Sequence, residues 1–184
     1  MSFRLIKAVA ATENADELHL ARLLLLLGQS DQRSGSTMAG IMKLAKLDFL
    51  LRYPNCLERL LKFKNKNATK ANIQPHERTS IESKMVRFRY GPWDTRYRRW
   101  IGLLVAKGLV VSYVKGHTVH IDLTDAGRRV VATLSESPAF ADMQERSSLI
   151  YRTVGSMPAT ALKNLIYEVF PEIIDMKWGE NIAL

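Results

Sequence analysis

Apolar residues first recur at a helical interval near the start of the chain. Leu20, Leu23, Leu24 and Leu27 fall on one face of a helix expected over residues 14–28. Leu25 and Leu26 spread the apolar surface further round, which suits a helix buried on more than one side. Asn14-Ala-Asp-Glu17 reads as a capping box at its start and Gly28 as its end. Residues 29–36, rich in Ser and Gly, read as a polar linker. Thr37 can cap a second helix with Ile41, Leu44, Ala45 and Leu51 turned inward. Asp48 and Arg52, four apart, are expected to pair on its exposed side for roughly 0.3 kcal/mol. Tyr53-Pro54-Asn55 stops that helix, and Asn55 can start another through residues 56–61. Residues 62–71 (K-F-K-N-K-N-A-T-K-A) are polar, basic and loop-like.

The period then changes. Val86-Arg-Phe-Arg-Tyr90 alternates apolar and basic, as a half-buried strand does, and Gly91-Pro92 breaks it. Asp94 can cap a helix reaching Lys107, with Tyr97, Ile101, Leu104 and Val105 inward, and Gly108 supplies a left-handed end. Residues 109–114 and 117–123 are β-rich runs joined at Lys115-Gly116, a hairpin signal. Thr124 starts a helix to about Leu134. Pro138 fits the first position of a helix ending near Gly155. A last helix over residues 158–170 aligns Leu162, Leu165, Ile166 and Val169 before Pro171 ends it. Residues 172–184 keep Ile173, Ile174, Met176, Trp178, Ile182 and Leu184. So apolar a segment is either folded back on the core or docked on a partner, with Ile173, Ile174 and Trp178 as docking candidates.

The pattern thus predicts a mainly α protein with a small β-hairpin: a winged helix-turn-helix core with extra N- and C-terminal helices. Residues 1–36 form an N-terminal helical segment, 37–134 the winged-helix-like domain, and 135–184 the C-terminal helices and tail. With 184 residues, 47% of them apolar, the chain can build a real core. Cys56 is its single cysteine, which excludes an internal disulfide and a cysteine-based zinc site and suits a reducing cytoplasm. The first residues are too short and interrupted for a signal peptide. Leu23 to Leu27 fall far below the ~20 apolar residues a membrane span needs.

Charge sharpens the picture. The net charge is +9, and residues 59–99 alone hold twelve Lys/Arg against three Asp/Glu, a surplus of nine. Such a segment beside a winged module suggests a DNA-facing protein, because phosphate neutralisation dominates that binding. Catalytic chemistry finds little support. His117 and His120, three apart in a strand, point to opposite faces. Residues 28–37 lack the Gly-Lys-Ser/Thr of a phosphate loop. Glu82-Ser-Lys84 resembles half of a nuclease motif without a second carboxylate for Mg²⁺. Cys56 at a helix start reads more simply as a small buried residue than as a nucleophile. No enzyme activity, cofactor or metal is expected.

Arg87 and Arg89 are expected on one face of their strand, and Arg96, Arg98 and Arg99 crowd the first turn of the next helix. Tyr90, Trp93, Tyr97 and Trp100 are interleaved with them. Arg87, Arg89, Tyr90, Trp93, Arg96, Arg98 and Arg99 are therefore candidate partner or DNA contacts. An arginine fork suits base edges and phosphates, but three cations in a first turn oppose the helix dipole unless an anion joins them. That anion can be phosphate, an acidic protein surface, or Asp94 and Glu82 of this chain. Lys62, Lys64, Lys66 and Lys70 are candidate DNA phosphate contacts on what reads as a solvated loop.

Four strings carry a resemblance: N-A-D-E-L-H-L-A-R-L-L-L-L-L at 14–27, K-L-A-K-L-D-F-L-L-R-Y-P at 43–54, M-V-R-F-R-Y-G-P-W-D at 85–94 and R-Y-R-R-W-I-G-L-L-V-A-K-G-L-V at 96–110. The chain resembles the middle component of bacterial three-component ABC-ATPase systems, which include the Lamassu-type anti-phage and anti-plasmid defences. The resemblance spans residues 14–134. It implies a small non-enzymatic subunit beside an SMC/Rad50-like ATPase and an effector, often a nuclease, that is held inactive until foreign DNA is sensed. It carries no catalytic residue, and it leaves open whether the subunit touches double-stranded DNA. A free-standing winged-helix transcription regulator is the alternative.

Overall fold

The computed structural model describes residues 16–34, 38–78 and 84–183. Asn14, Thr37 and Glu82 lie outside these, so the capping box, the Thr37 cap and the half nuclease motif do too. The fold is mainly α with a small β part. Helix α1 (Asp16–Ser34) is followed by strand β1 (Met38–Ala39) and helices α2 (Ile41–Arg52) and α3 (Pro54–Phe63). Two 3-10 turns (Ala68–Ala71, Pro75–Arg78) lead to a short hairpin, β2 (Val86–Phe88) and β3 (Gly91–Trp93). Helix α4 (Tyr97–Ala106), strands β4 (Val110–Lys115) and β5 (Thr118–Leu123) and helix α5 (Asp125–Glu136) come next. After the 3-10 turn Pro138–Phe140, helices α6 (Ala141–Val154), α7 (Ala159–Val169) and the short α8 (Glu172–Asp175) complete the chain.

Strands β1, β5 and β4 form one antiparallel sheet in that order. With α1, α2 and α4 around it, this is the winged-helix arrangement. Helix α4 leads directly into the β4–β5 hairpin, the wing of that arrangement. Residues 53–96 are an insertion between the second and third helices of that module.

The first helix runs past Gly28, where the glycine was expected to end it. Gly28 lets α5 come close, because a Cβ there would lie 2.6 Å from Val131 Cγ1. Tyr151 donates to buried Ser30 at 3.0 Å, and Arg128 grips Asp31 at 2.9 and 3.1 Å. These contacts outweigh the ~1 kcal/mol helix penalty of a glycine. Gln29 and Ser30, expected in a linker, are accordingly helical and buried. α1 packs on α2, α4, α5 and α6, and its leucines anchor one apolar cluster that extends from Leu20 to Ile182.

Local punctuation elsewhere behaves as read. Gly108 and Gly116 take left-handed backbone (φ 69° and 63°), and the Thr124 hydroxyl accepts from Gly127 N at 3.0 Å to cap α5. Tyr53 and Pro54 do end α2, but Pro54 itself, rather than Asn55, takes the first position of α3, which runs on to Phe63. Gly91 and Pro92 do not simply end a strand; they form the returning strand of the hairpin, with the turn at Arg89 and Tyr90. Val105 was expected inward, yet α4 is oriented by Tyr97, Trp100, Ile101 and Leu104, which leaves Val105 exposed.

The tail folds back. Arg87 N donates to Glu180 O, Gly179 N to Arg87 O and Ile182 N to Met85 O, each at 2.8 Å. Residues 179–182 therefore run along the free edge of β2. The Tyr53 hydroxyl joins both, donating to Ile182 O at 3.1 Å and accepting from Met85 N at 2.8 Å. Ile173 and Ile182 are buried.

Candidate interaction surface

The site builds outward from a buried ionic network at the α1–α2–α4 junction. Asp48 and Arg52 do pair, but inside the protein rather than on the exposed face, because α1 and α4 both close over that side of α2. Arg52 Nε donates to Asp48 Oδ2 at 2.9 Å and its Nη1 to Asp94 Oδ2 at 2.7 Å. Arg22 of α1 and the Tyr97 hydroxyl also donate to Asp48. The Arg52 guanidinium lies over Trp100, 5.1 Å from the ring centre.

The electrostatics follow from this wiring. Burial pushes the Asp48 carboxyl up, but the charges of Arg22 and Arg52 outweigh it and hold the group below its ordinary value. Asp94 is likewise held well down, against burial, by hydrogen bonds from Arg96 and Arg52. Burial, then the charges of Arg22, Arg52 and Arg96, lower His19 to about 4. Arg22 Nη2 donates to His19 Nδ1 at 2.8 Å, which requires that nitrogen to be unprotonated. Burial raises the Cys56 thiol to about 12, and the side chain is part of the core.

This network resolves part of the arginine cluster. Arg96 donates through Nε to Asp94 Oδ1 at 3.0 Å and through Nη2 to Oδ2 at 2.9 Å. Arg99 pairs with Asp16, which also accepts from Trp100 Nε1 at 2.9 Å. The anions that quiet the first turn of α4 are thus Asp94 and Asp16 of this chain. Arg98 is exposed and has no acidic partner among the described residues.

Arg87 is not a surface contact. It is only 9% exposed, donates through Nε to Ile173 O at 2.8 Å and lies over Tyr167. It does not share a face with Arg89, because β2 ends at Phe88 and Arg89 enters the turn, stacked on exposed Tyr90 at 5.3 Å. Trp93 is half-buried between Phe88 and Tyr97. Of the tail residues, Ile173 belongs to the core, whereas Ile174 and Trp178 are exposed, Trp178 at 66% and beside Phe88.

The outward stripe of α4 consists of Arg98, Arg99, Gly102, Val105 and Ala106. β4 is the edge strand of its sheet and exposes Val111, Tyr113 and Val114, the last at 68%. Lys62 pairs with Glu58 on the last turn of α3, Lys64 caps that helix, and Lys66 and Lys70 face α6. Sequence reasoning does not single out Asp16, His19 and Arg22: His19 and Arg22 are a helical pair three apart, but Asp48, Arg99 and Trp100, which tie the group into the site, are distant in sequence.

Among the described residues no group of His, Cys, Asp and Glu is arranged to hold a metal ion. No helix among them is long and apolar enough to cross a membrane. Comparison with known proteins returns no matching family, no matching curated protein and no matching solved structure.

Proposed function

We propose that this chain is a non-catalytic accessory subunit of a bacterial defence complex. In this reading it links an SMC/Rad50-like ATPase to a nuclease effector in the cytoplasm and helps keep the effector inactive until foreign DNA is sensed. The observation that carries a protein-binding role is the outward face of α4. A helix that reads bases presents hydrogen-bonding side chains to the groove. Here Arg98 and Arg99 stand at the start of the face, but its C-terminal half is Gly102, Val105 and Ala106, which offer none. The adjoining edge strand β4 is apolar and exposed, a surface suited to a partner's strand or helix. The partner's identity rests on the four sequence strings.

Co-expression with the products of neighbouring genes tests the reading: the chain is expected to purify with an ATPase and an effector. Purification as a stable lone monomer in their presence overturns it. The winged-helix arrangement favours the second reading, a transcription regulator. That reading predicts a preferred site from random-sequence DNA selection, lost when Arg98 and Arg99 become Glu.

A further inference from the structure

We propose that the insertion and α6 together form a phosphate-binding cleft that takes the sugar–phosphate backbone of nucleic acid, on a different face from the outward stripe of α4. Much of the surplus charge in residues 59–99 is consumed internally. Arg59 pairs with Glu172, Lys62 with Glu58, Arg96 with Asp94 and Arg99 with Asp16, and Arg87 is buried. Lys64, Lys66 and Lys70 are exposed and have no acidic partner among the described residues. Lys66 and Lys70 border a hollow of about 230 Å³, Lys70 also borders an adjoining one of about 460 Å³, and both hollows are lined by Arg152 of α6. Gln144, Ser148 and Thr153 add neutral polar groups, and Glu145 is the carboxylate present.

The lysines are held in position. Buried Arg146 donates through Nε to Ala71 O at 2.8 Å and through Nη2 to Asn72 O at 2.9 Å. It also grips Glu77 through both Nη atoms, at 2.6 and 2.7 Å. Asn67 Oδ1 accepts from Thr69 N at 2.9 Å and fixes the 3-10 turn that carries Lys70. Lys66 Nζ reaches Arg152 O and Thr153 Oγ1, each at 3.4 Å. The stretch that reads as a solvated loop is thus fastened to α6, and its cations line the same open hollows as an arginine of that helix. Two hollows that share Lys70 and Arg152 suit successive phosphates better than a single one. Exposed cations without base-reading partners imply binding that is independent of sequence. α1 packs on both α4 and α6 and lies between the two faces.

This site does not depend on the scaffold reading. The test is fluorescence anisotropy of the full chain with a labelled random-sequence duplex of about 25 base pairs, from 50 to 200 mM salt. Lys66→Glu/Lys70→Glu/Arg152→Glu is expected to weaken binding at least tenfold at 50 mM salt. At about 0.9 per phosphate contact, it should flatten the log–log salt slope by about 2 to 3. Arg98→Glu/Arg99→Glu should change affinity less than threefold. If the triple variant melts early, Lys70→Gln/Arg152→Gln replaces it, with a three- to tenfold loss expected. The proposal is overturned if the wild type binds no DNA at 50 mM salt, if the cleft variants bind within threefold of wild type, or if the Arg98/Arg99 variant takes the loss. Displacement of the duplex by micromolar ATP also overturns it, since that indicates a discrete nucleotide pocket.

Discussion

Asp48 holds two guanidinium groups in a space from which water is excluded, and its replacement strands Arg22 and leaves Arg52 with Asp94 as its remaining carboxylate. Asp48→Ala is expected to destabilise the fold by about 3–5 kcal/mol, the usual penalty for breaking a buried pair, read from urea unfolding. Replacing Arg22, Asp48 and Arg52 together with apolar residues of matched volume should be far milder, because no charge is then left unpaired. The pH dependence has two windows. His19 is neutral when folded and titrates near 4, whereas an ordinary histidine titrates near 6.5. The unfolded chain therefore binds the extra proton between these values, and stability declines as pH falls from about 6.5 to about 4. Asp48 and Asp94 have lowered folded values, so their contribution is present above the unfolded carboxylate range and is lost only in stronger acid. Thermal melting against pH checks the sign, and His19→Gln should flatten the upper window while leaving the lower one.

At the scale of elements, two glycines make opposite predictions. A Cβ at Gly127 would lie 2.0 Å from the carbonyl oxygen of Leu109, so Gly127→Ala forces α5 off the wing. We expect a loss of about 1–3 kcal/mol or more. Gly102 has nothing within 4 Å of an added Cβ, so Gly102→Ala should stabilise α4 by about 0.5–1 kcal/mol. Chemical denaturation of the pair separates the two effects. These elements also mark what local sequence can convey. Gly108 and Gly116 act through their own backbone and Thr124 through its hydroxyl, and the ends they predicted are where the elements turn; Pro138 opens a 3-10 turn, and α6 itself starts at Ala141. The extension of α1 past Gly28, the burial of Asp48–Arg52 and the inward turn of Arg87 depend on elements far along the chain. Arg146 fastens residues more than seventy positions earlier, and no periodicity announces that. The basic cluster was visible as composition, but which cations were already partnered was not.

For the whole molecule, the charge surplus divides into an internal part, which holds α1, α2 and α4 together, and an external part on the insertion. This division separates the two kinds of partner. Val114→Lys on the edge strand should weaken assembly with a protein partner, measured by co-purification, and leave the melting temperature and DNA affinity unchanged. Charge reversal in the α6 cleft should do the converse. A single variant that abolished both would mean that protein and nucleic acid share one surface.

The return of residues 179–182 to the edge of β2 also has a temporal consequence. The β2–β3 hairpin emerges during synthesis long before the segment that completes it. Until then the edge of β2 and the Tyr53 hydroxyl stay open, while the wing and α5 can already form from neighbouring residues. Pairing so distant in sequence is slow, and open edges in nascent chains are prone to capture by chaperones. The insertion is therefore expected to be the last part of this protein to mature, with the C-terminal segment as its latch.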